Sequence, residues 1–219
     1  MVYYQREKIK AIQRFYSDVS KDISSRLAEF KRLFREGTEK DIFAELVFCI
    51  LTPQSKAQSC WECVEILKKG KLLLKGAPKE IAKNINKARF KNNKAKYIVE
   101  ARKKFLSGEK LNIKSQITQF KSVQETREWL VDNIKGIGYK EASHFLRNIG
   151  FGEDIAILDR HILRNLKNLR VIHEIPLSLS KKKYLKIEEK MKEFTRNANI
   201  PMSHLDLVFW YKETGEIFK

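Results

Sequence analysis

Cysteine is scarce in this 219-residue chain, which has three: Cys49, Cys60 and Cys63. An odd count makes a poor disulfide framework and agrees with a reducing compartment. Cys60-Trp61-Glu62-Cys63 spells C-x-x-C. No second pair supplies the remaining ligands of a zinc site, so the two thiols read as core or half-buried residues on neighbouring helical turns. No apolar run approaches the ~18 residues of a membrane span. The first eight residues, Met1 to Lys8, lack the apolar stretch of a signal peptide. The expectation is an intracellular protein. Gly/Ser linkers, internal repeats and low-complexity tracts are missing too, which leaves one compact unit or two small lobes sharing a core.

What is abundant is positive charge. Lysine and arginine number 45 against 27 acidic residues, a formal net charge of +18. Such a surface attracts polyanions, of which nucleic acid is the commonest. Excess lysine that merely maintains solubility is the other reading, and charge alone leaves both open. The basic residues are spread along the chain rather than gathered on one amphipathic helix, which disfavours a membrane surface. Hydrophobic residues make up 42%, enough for a real core.

Helical periodicity runs through nearly the whole chain. Ile12, Phe15, Tyr16, Val19, Ile23, Leu27, Phe30, Leu33 and Phe34 recur in steps of three and four, predicting a helical face with a break near Ser20. Gly37 ends it, and Thr38 or Asp41 caps the next helix. That next segment, Ile42 to Leu51, is apolar almost all round and so is expected to be buried on every side. It stops at Thr52-Pro53-Gln54, because proline biases the residue before it away from α. Further helices are predicted over 95–105, 125–133, 140–149, 160–169, 183–195 and 203–211. No period-two stretch is long enough for a strand. The fold class is all-α.

Residues 134–140 read Ile134-Lys135-Gly136-Ile137-Gly138-Tyr139-Lys140, between two helical patterns. A hairpin this tight needs positive φ and close backbone approach, which Gly136 and Gly138 are expected to supply. Backbone N–H groups at the start of the following helix are then free to meet an anion, and the helix dipole favours phosphate there. An ordinary αα turn with two glycines would look the same.

After the second helix come Gly150-Phe151-Gly152-Glu153-Asp154 and then Ile155-Ala156-Ile157-Leu158-Asp159-Arg160-His161. Here the chain resembles the helix-hairpin-helix/Gly-Pro-Asp superfamily of DNA glycosylases, with its L/I-x-G-I/V-G-x-K hairpin and an apolar-Asp-x-His segment about twenty residues on. The usual loop proline is absent, with Ile155-Ala156 nearby. The resemblance implies two helical lobes with the active site in the cleft between them, a central lobe of about 40–130 and a hairpin-containing lobe formed by the N-terminal helices with about 131–219. It implies Lys140 as nucleophile and Asp159 as essential carboxylate, with Gly136, Gly138 and His161 facing DNA phosphates.

The chemistry suits that pair. Breaking an N-glycosidic bond develops oxocarbenium character that a carboxylate stabilises. A lysine amine at the anomeric carbon forms a Schiff base that permits strand scission.

Within the superfamily, branches like endonuclease III hold a [4Fe–4S] cluster on four C-terminal cysteines, and no cysteine follows Cys63. Branches that excise alkylated bases generally lack the lysine. The tail from Met202 to Lys219, with Asp206-Leu207-Val208-Phe209-Trp210-Tyr211-Lys212-Glu213-Thr214-Gly215, is similar to that of the compact archaeal-type 8-oxoguanine DNA glycosylases. By that likeness Trp210 and Phe90 sandwich a flipped base, and Lys219 with its terminal carboxylate lies at the recognition pocket. Gln54 sits in a segment resembling the family's L-S-x-Q and fills the gap in the duplex. Asp206 orients the last helix or the pocket.

The implied partner is double-stranded DNA containing oxidised bases, met by a monomer in the cytoplasm, associated with the nucleoid of a prokaryote. No cofactor or side-chain metal site is expected, beyond a monovalent cation held by backbone carbonyls under the hairpin. Two alternatives stay open: an endonuclease III-like enzyme for oxidised pyrimidines, and a non-catalytic helix-hairpin-helix DNA-binding module.

Overall fold

A computed structural model describes residues 6–219. Its helices, in chain order, are α1 (Arg6–Glu36), α2 (Glu39–Leu51), α3 (Ala57–Lys69), α4 (Leu72–Lys75), α5 (Pro78–Asn84), α6 (Lys91–Phe105), α7 (Ile113–Thr118), α8 (Val123–Asn133), α9 (Tyr139–Asn148), α10 (Arg160–Asn168), α11 (Lys181–Ala198) and α12 (Met202–Thr214). Two two-residue strands, β1 (Leu106–Ser107) and β2 (Lys110–Leu111), pair antiparallel after α6. The strand pair is too short to leave a period-two signature. The all-α class stands. No helix among the described residues is long and apolar enough to cross a membrane.

The predicted break at Ser20 is absent, and α1 runs unbroken for 31 residues. The serines that suggested a break are satisfied inside the helix. Ser20 Oγ donates to the Ser17 carbonyl at 3.1 Å and Ser24 Oγ to the Ser20 carbonyl at 2.7 Å, back-bonds that a helix tolerates. Thr38 then caps α2 in a capping box, its hydroxyl accepting from the Asp41 amide while the Asp41 carboxylate accepts from the Thr38 amide.

Helix α2 is buried on all sides from Ile42 to Leu51. It forms the axis of a first core with side chains from α3 to α9. A second core gathers Ile12, Val19 and Ile23 of α1 with residues between Ala156 and Phe209. Helix α1 thus serves both, since Leu33 and Phe34 at its far end pack on the first core. The apolar residues of the α8–α9 hairpin, such as Leu130, Ile137 and Phe145, belong to the first core.

The extended segment Ile155–Asp159 links α9 to α10 with no ladder to satisfy its backbone. Side chains do so instead. Ala156 N–H donates to Glu188 Oε2 at 2.7 Å, and Tyr184 Oη donates to the Ala156 carbonyl at 2.6 Å. Glu188 also pairs in two-pronged fashion with the fully buried Arg127 of α8, at 2.6 and 2.9 Å. One buried cluster therefore ties the hairpin, α11 and the segment ending in Asp159 together.

Candidate active site

A cavity of about 910 Å3 is lined from α9, the α2–α3 turn, the start of α10, the end of α12 and the tail after it. Lys140 enters it from the first turn of α9. The hairpin before it works through one glycine. Gly136 has φ +86°, and a Cβ there would run into the Tyr97 ring. Gly138 has φ −113° and ψ −166°, ordinary extended backbone, and a Cβ would meet nothing nearer than Glu141 Oε2 at 3.6 Å. The expectation that both glycines supply positive φ is corrected accordingly. The Gly138 N–H is also engaged, donating to Glu141 Oε2 at 3.2 Å.

Asp159 is the N-cap of α10. Its Oδ1 accepts from the His161 and Ile162 amides at 2.8 Å each, which fixes the carboxylate and places it at the positive end of the helix. Among the described residues Oδ2 accepts no hydrogen bond, and the carboxylate lines the cavity. Lys140 and Asp159 share that cavity without pairing: the carboxylate beside the Lys140 ammonium is Glu141, with Nζ–Oε1 3.7 Å.

Gln54 is exposed in the turn after α2, in the left-handed region at φ +56°, and lines the rim. What holds it there is a buried lysine. Lys94 Nζ donates to the carbonyls of Leu51 and Pro53, both at 2.7 Å, and contacts Ser55 Oγ at 3.1 Å. The cation thus satisfies the C-terminal carbonyl of α2 and bridges both sides of Gln54. Burial pushes its pKa down.

Trp210 and His161 meet edge to face at 5.7 Å, both lining the cavity. Glu213 lies 3.6 Å from His161 Nδ1 and accepts from Asn165 Nδ2 at 3.2 Å. Phe90 stands apart. It is 55% exposed, with φ +57°, and is absent from the cavity wall, which takes Arg89 instead. The two aromatic rings expected to face a base are therefore not assembled around one space here.

Lys219 lines the cavity, and its ammonium meets a buried acid. It pairs with Glu45 of α2 and lies 3.6 Å from the centre of the Trp61 ring. Glu45 is 2% exposed and also accepts from Asn148 Nδ2 at 3.0 Å. Beside this lies a buried polar patch. Arg147 Nη2 is 3.6 Å from Asp206 Oδ2. Burial raises the Asp206 carboxyl to about 6, against the pull of Arg147. Asp206 also lines the cavity.

Sequence reasoning missed Lys94, Glu45, His144, Arg147 and Glu213. Four of these carry charge on helices in a chain that is one-third charged, so nothing in composition set them apart. Glu45 did have a signal: one carboxylate inside an otherwise apolar run demands a buried partner. No group of three or more His, Cys, Asp or Glu side chains gathers as a metal site among the described residues, and the three cysteines are buried free thiols.

Comparison with known proteins gives a consistent set of likenesses. Residues 23–200 match the family model Ogg-HhH, described as 8-oxoguanine DNA glycosylase. A protein of Fusobacterium nucleatum named 8-oxoguanine DNA glycosylase/AP lyase is 51% identical over 215 residues, spanning 98% of this chain and 99% of that one. Among solved structures, the 8-oxoguanine DNA glycosylase of Thermotoga maritima has a TM-score of 0.86 at 38% identity, covering 97% of this chain and 99% of that one. The Methanocaldococcus jannaschii 8-oxoguanine glycosylase/lyase, solved with a 15mer DNA containing 8-oxoguanine, has a TM-score of 0.86 at 40% identity, covering 97% and 100%.

Proposed function

Since the chain belongs to the helix-hairpin-helix 8-oxoguanine DNA glycosylase family, we propose that it removes 8-oxoguanine from duplex DNA and then cuts the strand, with Lys140 as nucleophile and Asp159 as the carboxylate that stabilises the sugar cation. The observation that carries this reading is the convergence of Lys140, Asp159 and Trp210, from three separate helix ends, on one cavity.

The Lys140 ammonium first gives up a proton to solvent, and the neutral amine attacks C1′ of the extruded nucleotide. The C1′–N9 bond breaks, its electron pair leaves with the base, and the base takes up a proton. Loss of the amine proton and opening of the sugar ring give the Schiff base. Removal of a C2′ proton then expels the 3′ phosphate by β-elimination. Positive charge grows on the sugar in the first step, and the Asp159 carboxylate, held fixed by two amides, costs no reorganisation when it answers that charge. An extruded purine loses a few kcal/mol of stacking and pairing; Trp210 offers a face to offset it, and Phe90 would have to move toward the base to share that role.

DNA is held by charge and by the hairpin. Gln54, displayed on a turn braced by Lys94, is suited to enter the duplex where the nucleotide has left. Gly136 and Gly138 bring the backbone close to a phosphate, and His161 lies near the next. Backbone carbonyls of the hairpin turn would hold a monovalent cation beneath it. The protein acts as a monomer, in the cytoplasm at the nucleoid.

Excision assays on duplexes carrying 8-oxoguanine or thymine glycol test the substrate. Preference for 8-oxoguanine is expected, and preference for thymine glycol would move the enzyme to the oxidised-pyrimidine class.

A further inference from the structure

One cavity residue has chemistry that the steps above leave unused. His144 lies one helical turn after Lys140 on α9, so the two side chains share a face. It lines the same cavity and is 6% exposed. Neither ring nitrogen makes a well-formed hydrogen bond, the Lys219 backbone approaching the ring without closing one, and the ring packs edge to face on Phe48 at 5.4 Å. A buried polar group left unpaired costs about 1–3 kcal/mol, and such an orphan in a pocket calls for an explanation.

We propose that His144 is a specificity-determining residue whose imidazole hydrogen-bonds the edge of the extruded base. This rests on the proposed 8-oxoguanine activity. Burial, and then the Arg147 and Lys140 cations, hold its pKa well below the usual imidazole value. The ring is therefore neutral at physiological pH and presents one donor and one acceptor. A purine edge, with donors and acceptors alternating, is matched by such a pair. An abasic sugar offers nothing to it.

That difference supplies the test. Two substrates are compared under single-turnover conditions: a duplex with 8-oxoguanine opposite C, and the same duplex with a preformed abasic site, which needs only the Lys140 lyase step. His144→Phe removes the hydrogen bonds and keeps a ring against Phe48. The ratio of excision rate to abasic-site cleavage rate is expected to fall at least ~10-fold, the effect of one lost hydrogen bond in a dry site. His144→Gln, which keeps a donor and an acceptor, is expected to recover part of that ratio. The melting temperature should fall little, because the replaced nitrogens hold no well-formed hydrogen bond beyond their approach to the Lys219 backbone. A ratio within about twofold of wild type in His144→Phe would overturn the proposal, as would equal loss of both activities with a lowered melting temperature. Wild-type protein that cleaves abasic sites and ignores 8-oxoguanine would refute the substrate reading, a result distinct from either.

Discussion

Lys140 and Asp159 face one cavity from the starts of two different helices, yet they do not touch: the Lys140 ammonium neighbours Glu141, and the Asp159 carboxylate binds backbone amides. In the proposed reaction the space between them is where a sugar would lie, with the proposed nucleophile on one side and a fixed negative charge on the other. With no ion pair to Lys140, the Asp159 carboxylate is free to act on the substrate's charge.

Asp159 has two duties that one substitution separates. Asparagine caps helices as well as aspartate does, so Asp159→Asn is expected to leave the melting temperature nearly unchanged. Excision should drop by roughly 10²–10³. Thermal melting beside single-turnover kinetics checks this, and a large loss of stability with intact kinetics would contradict it.

The hairpin glycines are expected to differ. Gly136→Ala puts a methyl group into the Tyr97 ring at φ +86° and should destabilise the protein by about 1–3 kcal/mol. Gly138→Ala makes only an ordinary contact with Glu141 Oε2 on extended backbone, so its cost should stay at ~1 kcal/mol or below. Urea denaturation of both variants measures the contrast.

The sequence made the hairpin legible but not this asymmetry. A G-x-G pattern marks a tight turn, but not that Gly136 alone of the two has positive φ and lies against Tyr97 of α6, a contact distant in sequence. In the same way, α2 was readable because its run is apolar but for Glu45; Lys140 and Asp159 were named from motif spacing and Trp210 from family likeness, and all three line the cavity. Lys94 was not, since a buried lysine and a surface lysine are identical in sequence. Phe90 was also named from family likeness; it stands exposed at the left-handed residue that precedes α6.

Lys94 anchors the turn that displays Gln54 through three hydrogen bonds. Lys94→Met keeps the stem and strands those acceptors, so about 1–3 kcal/mol of stability is expected to go. Weaker binding to lesion duplex should follow from a loosened Gln54. Chemical denaturation and a DNA titration read both effects; unchanged stability would show the bonds to be dispensable.

Asp206 predicts a pH dependence. Its folded pKa, about 6, lies above the ordinary 3.8. A raised carboxyl pKa means stability is fully present below the unfolded value and is lost as pH rises through the folded one. The window is therefore roughly pH 4 to 6, and the loss amounts to about 3 kcal/mol. Asp206→Asn should flatten that stretch of the stability–pH curve. An unaltered slope would assign the dependence to another group.

The central claim, a Schiff base on Lys140, is tested most directly by borohydride trapping on an 8-oxoguanine:C duplex, with Lys140→Gln alongside wild type. Wild type is predicted to give a covalent protein–DNA adduct and Lys140→Gln none. Equal trapping by Lys140→Gln, or none by active wild type, would contradict the account.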